Sequence, residues 1–323
     1  MPRAEGAPAH ACGDGLAVFY ALWRVGHPQS QLVPALVAVT AGGEVGVVPG
    51  GEPGGVLPEA QLPQWAVSTA GDGGGCRLLA WSRVKMEPSG NVSETLWSTT
   101  VPPVSSGRNA STEMLFATGG GGGGGVAARA PRRAAAAARG AAPQGLGYSH
   151  ALDAAGGLLY AQDGTGDIAV FDVSSKAFKD PLPAGGAERA CLHYDPATKR
   201  LGALVRGSAA GSWALASVDA ATGAVAQRLA LPPLGGLVPY SVRDGGPPTC
   251  SFSAATGTLA VQLERVDANA TYAYARGVEV AVLPVDTRTP AAAASVAVAY
   301  DFGKPAAPNA TWRMVDPVLS LVG

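Results

Sequence analysis

Three histidines stand at matching places in this chain. His150 and His193 each lie eight residues before a leucine that holds the same position in its own segment, Leu158 and Leu201, and His10 has a similar place nearer the start. Neutral imidazole is a common ligand for transition metals and the usual acid or base near neutral pH. Three imidazoles brought to one place could therefore hold a metal ion or move a proton. This makes His10, His150 and His193 the candidate metal ligands. The competing reading is a histidine that recurs because its segment recurs, hydrogen-bonded to a neighbouring segment.

The asparagines carry a second kind of chemistry. The chain has only Asn91, Asn109, Asn269 and Asn309, and they open NVS, NAS, NAT and NAT, so every asparagine heads an N-glycosylation sequon. Ser and Thr make up about a ninth of the chain, so chance would give this on the order of once in several thousand such sequences. A glycan needs solvent around its asparagine. Asn91 and Asn269 are expected in loops between the second and third strands of a repeat, Asn109 in the following loop, and Asn309 in a Pro-rich connection.

The cysteines are Cys12, Cys76, Cys191 and Cys250, with no C-x-x-C spacing that would mark a zinc ribbon or a redox motif. In an oxidising compartment they could pair, Cys12 with Cys76 and Cys191 with Cys250, because each couple falls in adjacent repeats. Buried thiols remain the alternative, since a disulfide needs Cα atoms within about 7 Å. The sequence has no G-x-S-x-G, H-E-x-x-H, EF-hand loop or Walker pattern, and it implies no cofactor.

The elements that must position these residues come from a repeat. After DAAGG, the runs LLYAQD, IAVFDV and FKDPLP are separated by DGTGD and SSKA. A second copy runs CLHYD, LGALVRG, WALASVD and VAQRLAL, and a third runs CSFS, TLAVQLER, VEVAVLPVD and AAAASVAVAY. Period-two runs joined by Gly, Asp and Asn turns form antiparallel meanders. Leu158, Leu201 and Leu259 recur at roughly 40 to 60 residues, the spacing of four-stranded propeller blades, which bury both faces only by stacking on neighbours. Weaker copies precede them: LAVFYALW and LVPALVAVT in blade one, CRLLAWSRV and SETLWSTTV in blade two. The expected fold is all-β, a β-propeller of four-stranded antiparallel blades, about five recognisable plus a truncated sixth.

The stretch SHALDAAGGLLYAQDGTGDIAVFDV resembles a blade of the YVTN and lactonase-like propeller group, and VDAATGAV resembles blades of quinoprotein and WD40 type. That resemblance implies a propeller and leaves function open, because propellers host enzymes, receptors and scaffolds. The repeated Asp and Gly residues are read as turn formers.

Residues 1–118 are assigned to blades one and two, and residues 145–323 to blades three to five and the start of a sixth. Between them, residues 119–144 form a Gly/Ala/Arg-rich insertion with no apolar period, expected to be disordered. Its glycine run lacks the Lys-Ser or Lys-Thr of a phosphate loop. The formal net charge is −1, so no global field points to nucleic acid. The longest apolar runs fall short of the roughly 18 residues needed to span a bilayer.

No signal-like segment opens MPRAEGAPAHACGDG, which together with the incomplete sixth unit implies a piece of a larger polypeptide. The sequons favour a secreted, cell-surface or secretory-lumen location, and a cytoplasmic protein with unused sequons is the alternative. Two functions remain in view. One is a non-catalytic extracellular glycoprotein propeller that binds a protein or glycan ligand. The other is a secreted lactonase-like or hydrolase propeller with a site at the channel mouth.

Overall fold

The computed structural model describes residues 10–13, 16–25, 31–51, 63, 65–70, 75–86, 91–118, 146–163, 167–183, 189–206, 212–231, 237–239, 250–265, 279–289 and 298–301. The insertion at 119–144 and the opening of a sixth unit at 308–323 lie outside these residues.

The chain is all-β and of the β-propeller class, and its described residues form five antiparallel blades. Two compact units divide it, Met1–Ala137 and Ala138–Gly323. The first unit holds blade one, β1 (His10–Cys12), β2 (Leu16–Val25), β3 (Gln31–Val39) and β4 (Val45–Val47), and blade two, β5 (Trp65–Ala70), β6 (Cys76–Met86), β7 (Asn91–Val101) and β8 (Ser111–Thr118). The second unit begins with blade three, β9 (Leu146–Asp153), β10 (Leu158–Asp163), β11 (Ile168–Asp172) and β12 (Ala177–Leu182). Blade four follows with β13 (Arg189–Asp195), β14 (Arg200–Arg206), β15 (Trp213–Asp219) and β16 (Val225–Ala230). Blade five comprises β17 (Leu237–Pro239), β18 (Cys250–Ser253), β19 (Thr258–Arg265), β20 (Glu279–Asp286) and β21 (Val298–Asp301).

In blades one to four each strand pairs with the next in sequence. Blade five departs from this pattern because β17 and β18 both pair with β19, so its first strand comes in two pieces along one edge. Among the described residues the helical content is one 3-10 turn, Val104–Ser106. No helix among them is long and apolar enough to cross a membrane.

Alternation explains why the blades stack. Successive side chains of a strand point to opposite faces, so each inner strand supplies two seams. On β14, Leu201 and Ala203 join Tyr160, Ile168 and Val170 of blade three, whereas Leu204 joins Leu259 and Val261 of blade five. On β15, Val218 faces blade three, and Trp213 and Leu215 face blade five. The first unit has one such seam, where Val18, Tyr20 and Leu36 meet Leu78, Ala80 and Trp97. The larger aliphatic side chains among them contribute about 1.5–3 kcal/mol each when buried this fully.

The recurring Asp and Gly residues close the hairpins. Asp153, Asp172, Asp195, Asp219 and Asp286 end their strands, and each carboxylate accepts a backbone N–H from the turn that follows, as Asp219 does from Thr222 at 2.8 Å. Four residues after Asp153, Asp172, Asp195 and Asp219 stands a residue of positive φ: Gly157, Lys176, Lys199 and Gly223. The side chain thus replaces a missing strand partner, and the left-handed residue returns the chain to the next strand.

Blade two differs from expectation at its second turn. The β6–β7 ladder continues through Lys85↔Val92 to Met86↔Asn91, so Asn91 is the first residue of β7. Val84 and Val92 favour an extended backbone and prolong the ladder past the polar residues that read as loop.

Two glycines separate backbone strain from crowding. A Cβ at Gly43 (φ +80°) would meet nothing within 4 Å, whereas one at Gly223 (φ +74°) would stand 2.9 Å from Pro183 Cδ and 3.1 Å from Leu182 Cβ. Gly43→Ala should cost about 1 kcal/mol through its backbone alone. Gly223→Ala should cost about 1–3 kcal/mol more, because blade three cannot yield to it. Urea unfolding of the two variants measures the difference.

Candidate functional site

The seam between blades four and five holds a compact group of polar side chains around a small crevice. His193, Gly202 and Ser217 form one row across β13, β14 and β15, and Asp195, Arg200 and Asp219 form the next. Cross-strand partners share a face, so these side chains lie on the side of blade four that meets blade five. Gly202 and Ser217 are small where Leu204 and Leu215 are large, which leaves a crevice of about 50 Å³ lined also by Thr198 and Arg288. That is room for a few water molecules at most.

A bidentate pair lines the crevice. Arg288, just beyond β20, donates from Nη2 to Asp195 Oδ1 at 2.7 Å and from Nε to Asp195 Oδ2 at 2.9 Å. Its Nη2 also donates to the Ala254 carbonyl at 2.6 Å. The Asp195 oxygens accept in addition from Ala197 N–H and Thr198 Oγ1. The Arg288 hydrogen bonds hold the Asp195 carboxyl below the usual carboxylate range, and Asp195 in turn raises the Arg288 guanidinium. Planar two-point pairing of this kind fixes orientation as well as charge.

His193 lies deeper. Its Nδ1 is 3.0 Å from the Cys191 carbonyl, and its ring stacks on Phe252 of blade five with centroids 4.4 Å apart. A Cβ at Gly202 would collide with the imidazole, so glycine there is what admits the ring.

The strand beneath is bulged. The register of β13 with β14 shifts between Ala190 and His193, and Cys191 adopts φ 57°. A bulge turns backbone groups away from the ladder. Here Leu192 N–H donates instead to Ser149 Oγ of blade three at 2.8 Å, and Cys191 is bonded to Cys250 of blade five.

The cysteines, for which the sequence leaves both pairing and buried thiols open, are joined as Cys12–Cys76 and Cys191–Cys250, with Cα atoms 5.1 and 5.7 Å apart, and no free cysteine is present. Each bond crosses a seam between adjacent blades. The histidines are placed less uniformly. His150 on β9 and His193 on β13 occupy neighbouring first strands of the second unit, and His10 on β1 belongs to the first. His10 Nε2 is buried with no hydrogen-bond partner among the described residues. No group of three His, Cys, Asp or Glu among those residues is placed to hold a metal ion. Asn109 is exposed in the β7–β8 connection, whereas Asn269 and Asn309 lie outside the described residues.

Several seam residues gave no sequence signal. Tyr20 Oη meets Thr99 Oγ1 at 2.9 Å and accepts from Trp97 Nε1 at 3.1 Å inside the first unit. Tyr160 and Tyr194 stack across blades three and four at 6.0 Å. Asp195 was legible only as a turn former, and nothing in the spacing of Arg288 announced its partner 93 residues away.

No protein-family model and no curated protein matches the sequence. Solved structures do resemble it at low identity. A chain of a nidogen/laminin complex is 12% identical with a TM-score of 0.42, covering 85% of this chain and 73% of that one. The putative TolB of Agrobacterium tumefaciens is 11% identical with a TM-score of 0.43, covering 90% and 91%. The Cps50 (Swd1) β-propeller domain of Myceliophteria thermophila is 12% identical with a TM-score of 0.40, covering 90% and 81%. At these values nothing of their chemistry transfers to this chain.

The fit of imidazole over glycine yields a test by double-mutant cycle. Gly202→Ala alone should destabilise by about 1–3 kcal/mol through overpacking. In a His193→Ala background the same change should cost well under half as much, because the ring it strikes is gone. Equal costs in both backgrounds, measured by chemical denaturation, would mean that the ring lies elsewhere.

Proposed function

We propose that this chain is a non-catalytic interaction module of an extracellular or cell-surface glycoprotein, in which disulfide-stapled blades present loops to a protein or glycan ligand. The observation that carries this reading is the use of all four cysteines in two bonds that each cross a blade seam. Such bonds persist in oxidising compartments and are rare where thiols are kept reduced. The four sequons agree with that location, and exposed Asn109 meets the solvent requirement for a glycan. Membership of a larger polypeptide belongs to the same proposal.

A binding role also suits the chemistry of the blade four–five crevice. Asp195 and Arg288 are committed to each other and to backbone groups, so their charges hold the seam and do not face a substrate. Rigid strands with exposed connections between them are a common arrangement for recognition.

Secretion from a eukaryotic host behind an added signal peptide tests the reading. Alkylation without reduction should add nothing to the denatured chain, alkylation after reduction should add four groups, and an N-glycan-releasing amidase should lower the mass. Asn109→Gln should remove one step of that shift. Free thiols and an unmodified mass in the native protein would instead point to an intracellular scaffold. Replacing Cys12 and Cys76 together by Ser should cost about 4 kcal/mol, since the bond closes a loop of 64 residues. Loss of the urea midpoint measures it.

A further inference from the structure

We propose that His193 is a proton-sensing residue of the blade four–blade five seam, neutral while the seam is closed and, once protonated in acid, a buried cation that loosens it. The geometry makes the imidazole a poor place for a charge. It is 6% exposed, with Phe252 of blade five on one face and Gly202 beneath it. The Cys191 carbonyl can only accept, so the bond at Nδ1 requires the proton there and leaves the lone pair on Nε2. A second proton must therefore enter at Nε2, which stands over Gly202.

The charged groups around this row do not offer a free counter-charge. On β13 the nearest is Asp195, on β14 Arg200, on β15 Asp219, and from blade five Arg288, while β18 contributes no charged residue. Asp219 closes its own turn through Ala221 and Thr222. Both oxygens of Asp195 are taken by Arg288, Ala197 and Thr198. An imidazolium at His193 would stay buried without a carboxylate of its own or draw Asp195 away from Arg288. Either outcome weakens the contact between the blades.

Burial lowers the His193 pKa to about 4, and the Cys191 carbonyl and the Asp195 charge offset this only in part. An unfolded histidine titrates near 6.5. Between these values the unfolded chain binds more protons, so stability from this group is complete above about pH 6.5 and is lost as the pH falls toward 4. Asp195 acts in a separate window. Its carboxyl lies below the ordinary carboxylate value, so its contribution is lost only at still lower pH. His10 is likewise lowered to about 4 by burial, in the first unit, so a measurement on the whole chain needs a reporter local to the seam. Cys191–Cys250 is that reporter. The device itself requires neither glycan nor partner.

Histidine NMR of the intact chain tests the first step. Of the four imidazoles, His10 and His193 should both remain neutral below pH 5, the His193 signal being the one lost in His193→Gln, and titration of that signal near 6.5 would overturn the proposal. The second step is read with a phosphine that reduces disulfides in acid, followed by alkylation and peptide mapping. Reduction of Cys191–Cys250 should be at least tenfold faster at pH 4.5 than at pH 7.5. In His193→Gln that acceleration should largely vanish, and its persistence would show that another group senses the proton. Should the variant fail to fold, the wild-type chain still decides: an acid-neutral His193 with no faster reduction at pH 4.5 also overturns the proposal.

Discussion

A four-stranded blade has two apolar faces, and neither can be left in water. This constraint organises the described structure. Because side chains alternate along a strand, the residues of β14 and β15 divide between two neighbours, and a one-residue slip would exchange Leu204 for Leu201 at both seams. Register and stacking are therefore one problem. The apolar middle of each seam supplies area, while the strand ends, where backbone groups and polar side chains are trapped between blades, need specific partners.

The three described seams meet that need differently. Between blades one and two, the Tyr20 hydroxyl satisfies the Trp97 indole and Thr99 together, and burial pushes the Tyr20 phenol above its usual range, so it stays a neutral hydrogen-bonding group. Between blades three and four, the Ser149 hydroxyl takes the Leu192 N–H and two tyrosine rings stack. Between blades four and five, a charged pair does the work at the rim, with His193 and Phe252 stacked behind it. The β13 bulge joins the last two seams. By leaving the ladder, Leu192 reaches blade three through its backbone, and Cys191 reaches blade five through its sulfur. Positive φ at a cysteine costs about 1–2 kcal/mol, offset by contacts to both neighbours.

Asp195 shows how a local motif acquires a second task. Like Asp153, Asp172, Asp219 and Asp286, it ends a strand and caps a turn. It differs from Asp219 in having Arg288 of the next blade across from it. Gly257, at φ +71°, leaves space that a Cβ would take, since that atom would stand 2.6 Å from Arg288 Cδ. A turn former, a glycine and an arginine from three hairpins thus make one joint.

What could be read from the sequence alone was whatever depends on near neighbours. Period-two runs, the Asp and Gly of the turns and the repeat interval established blades of this kind, because strand alternation and turn capping are set by residues within about ten positions of one another. The sequons and the cysteine couples were legible for a similar reason, as short patterns or as equivalent places in adjacent repeats. Tertiary structure alone decided the rest. Asp195 and Arg288 are 93 residues apart, Tyr20 and Trp97 are 77, and Ser149 and Leu192 are 43. No spacing encodes such pairs, since their distance and angle follow from the stacking of whole sheets. The fate of His193 was hidden for the same reason: whether an imidazole binds a metal, moves a proton or is buried neutral depends on what the next blade lays over it, and here that is Phe252.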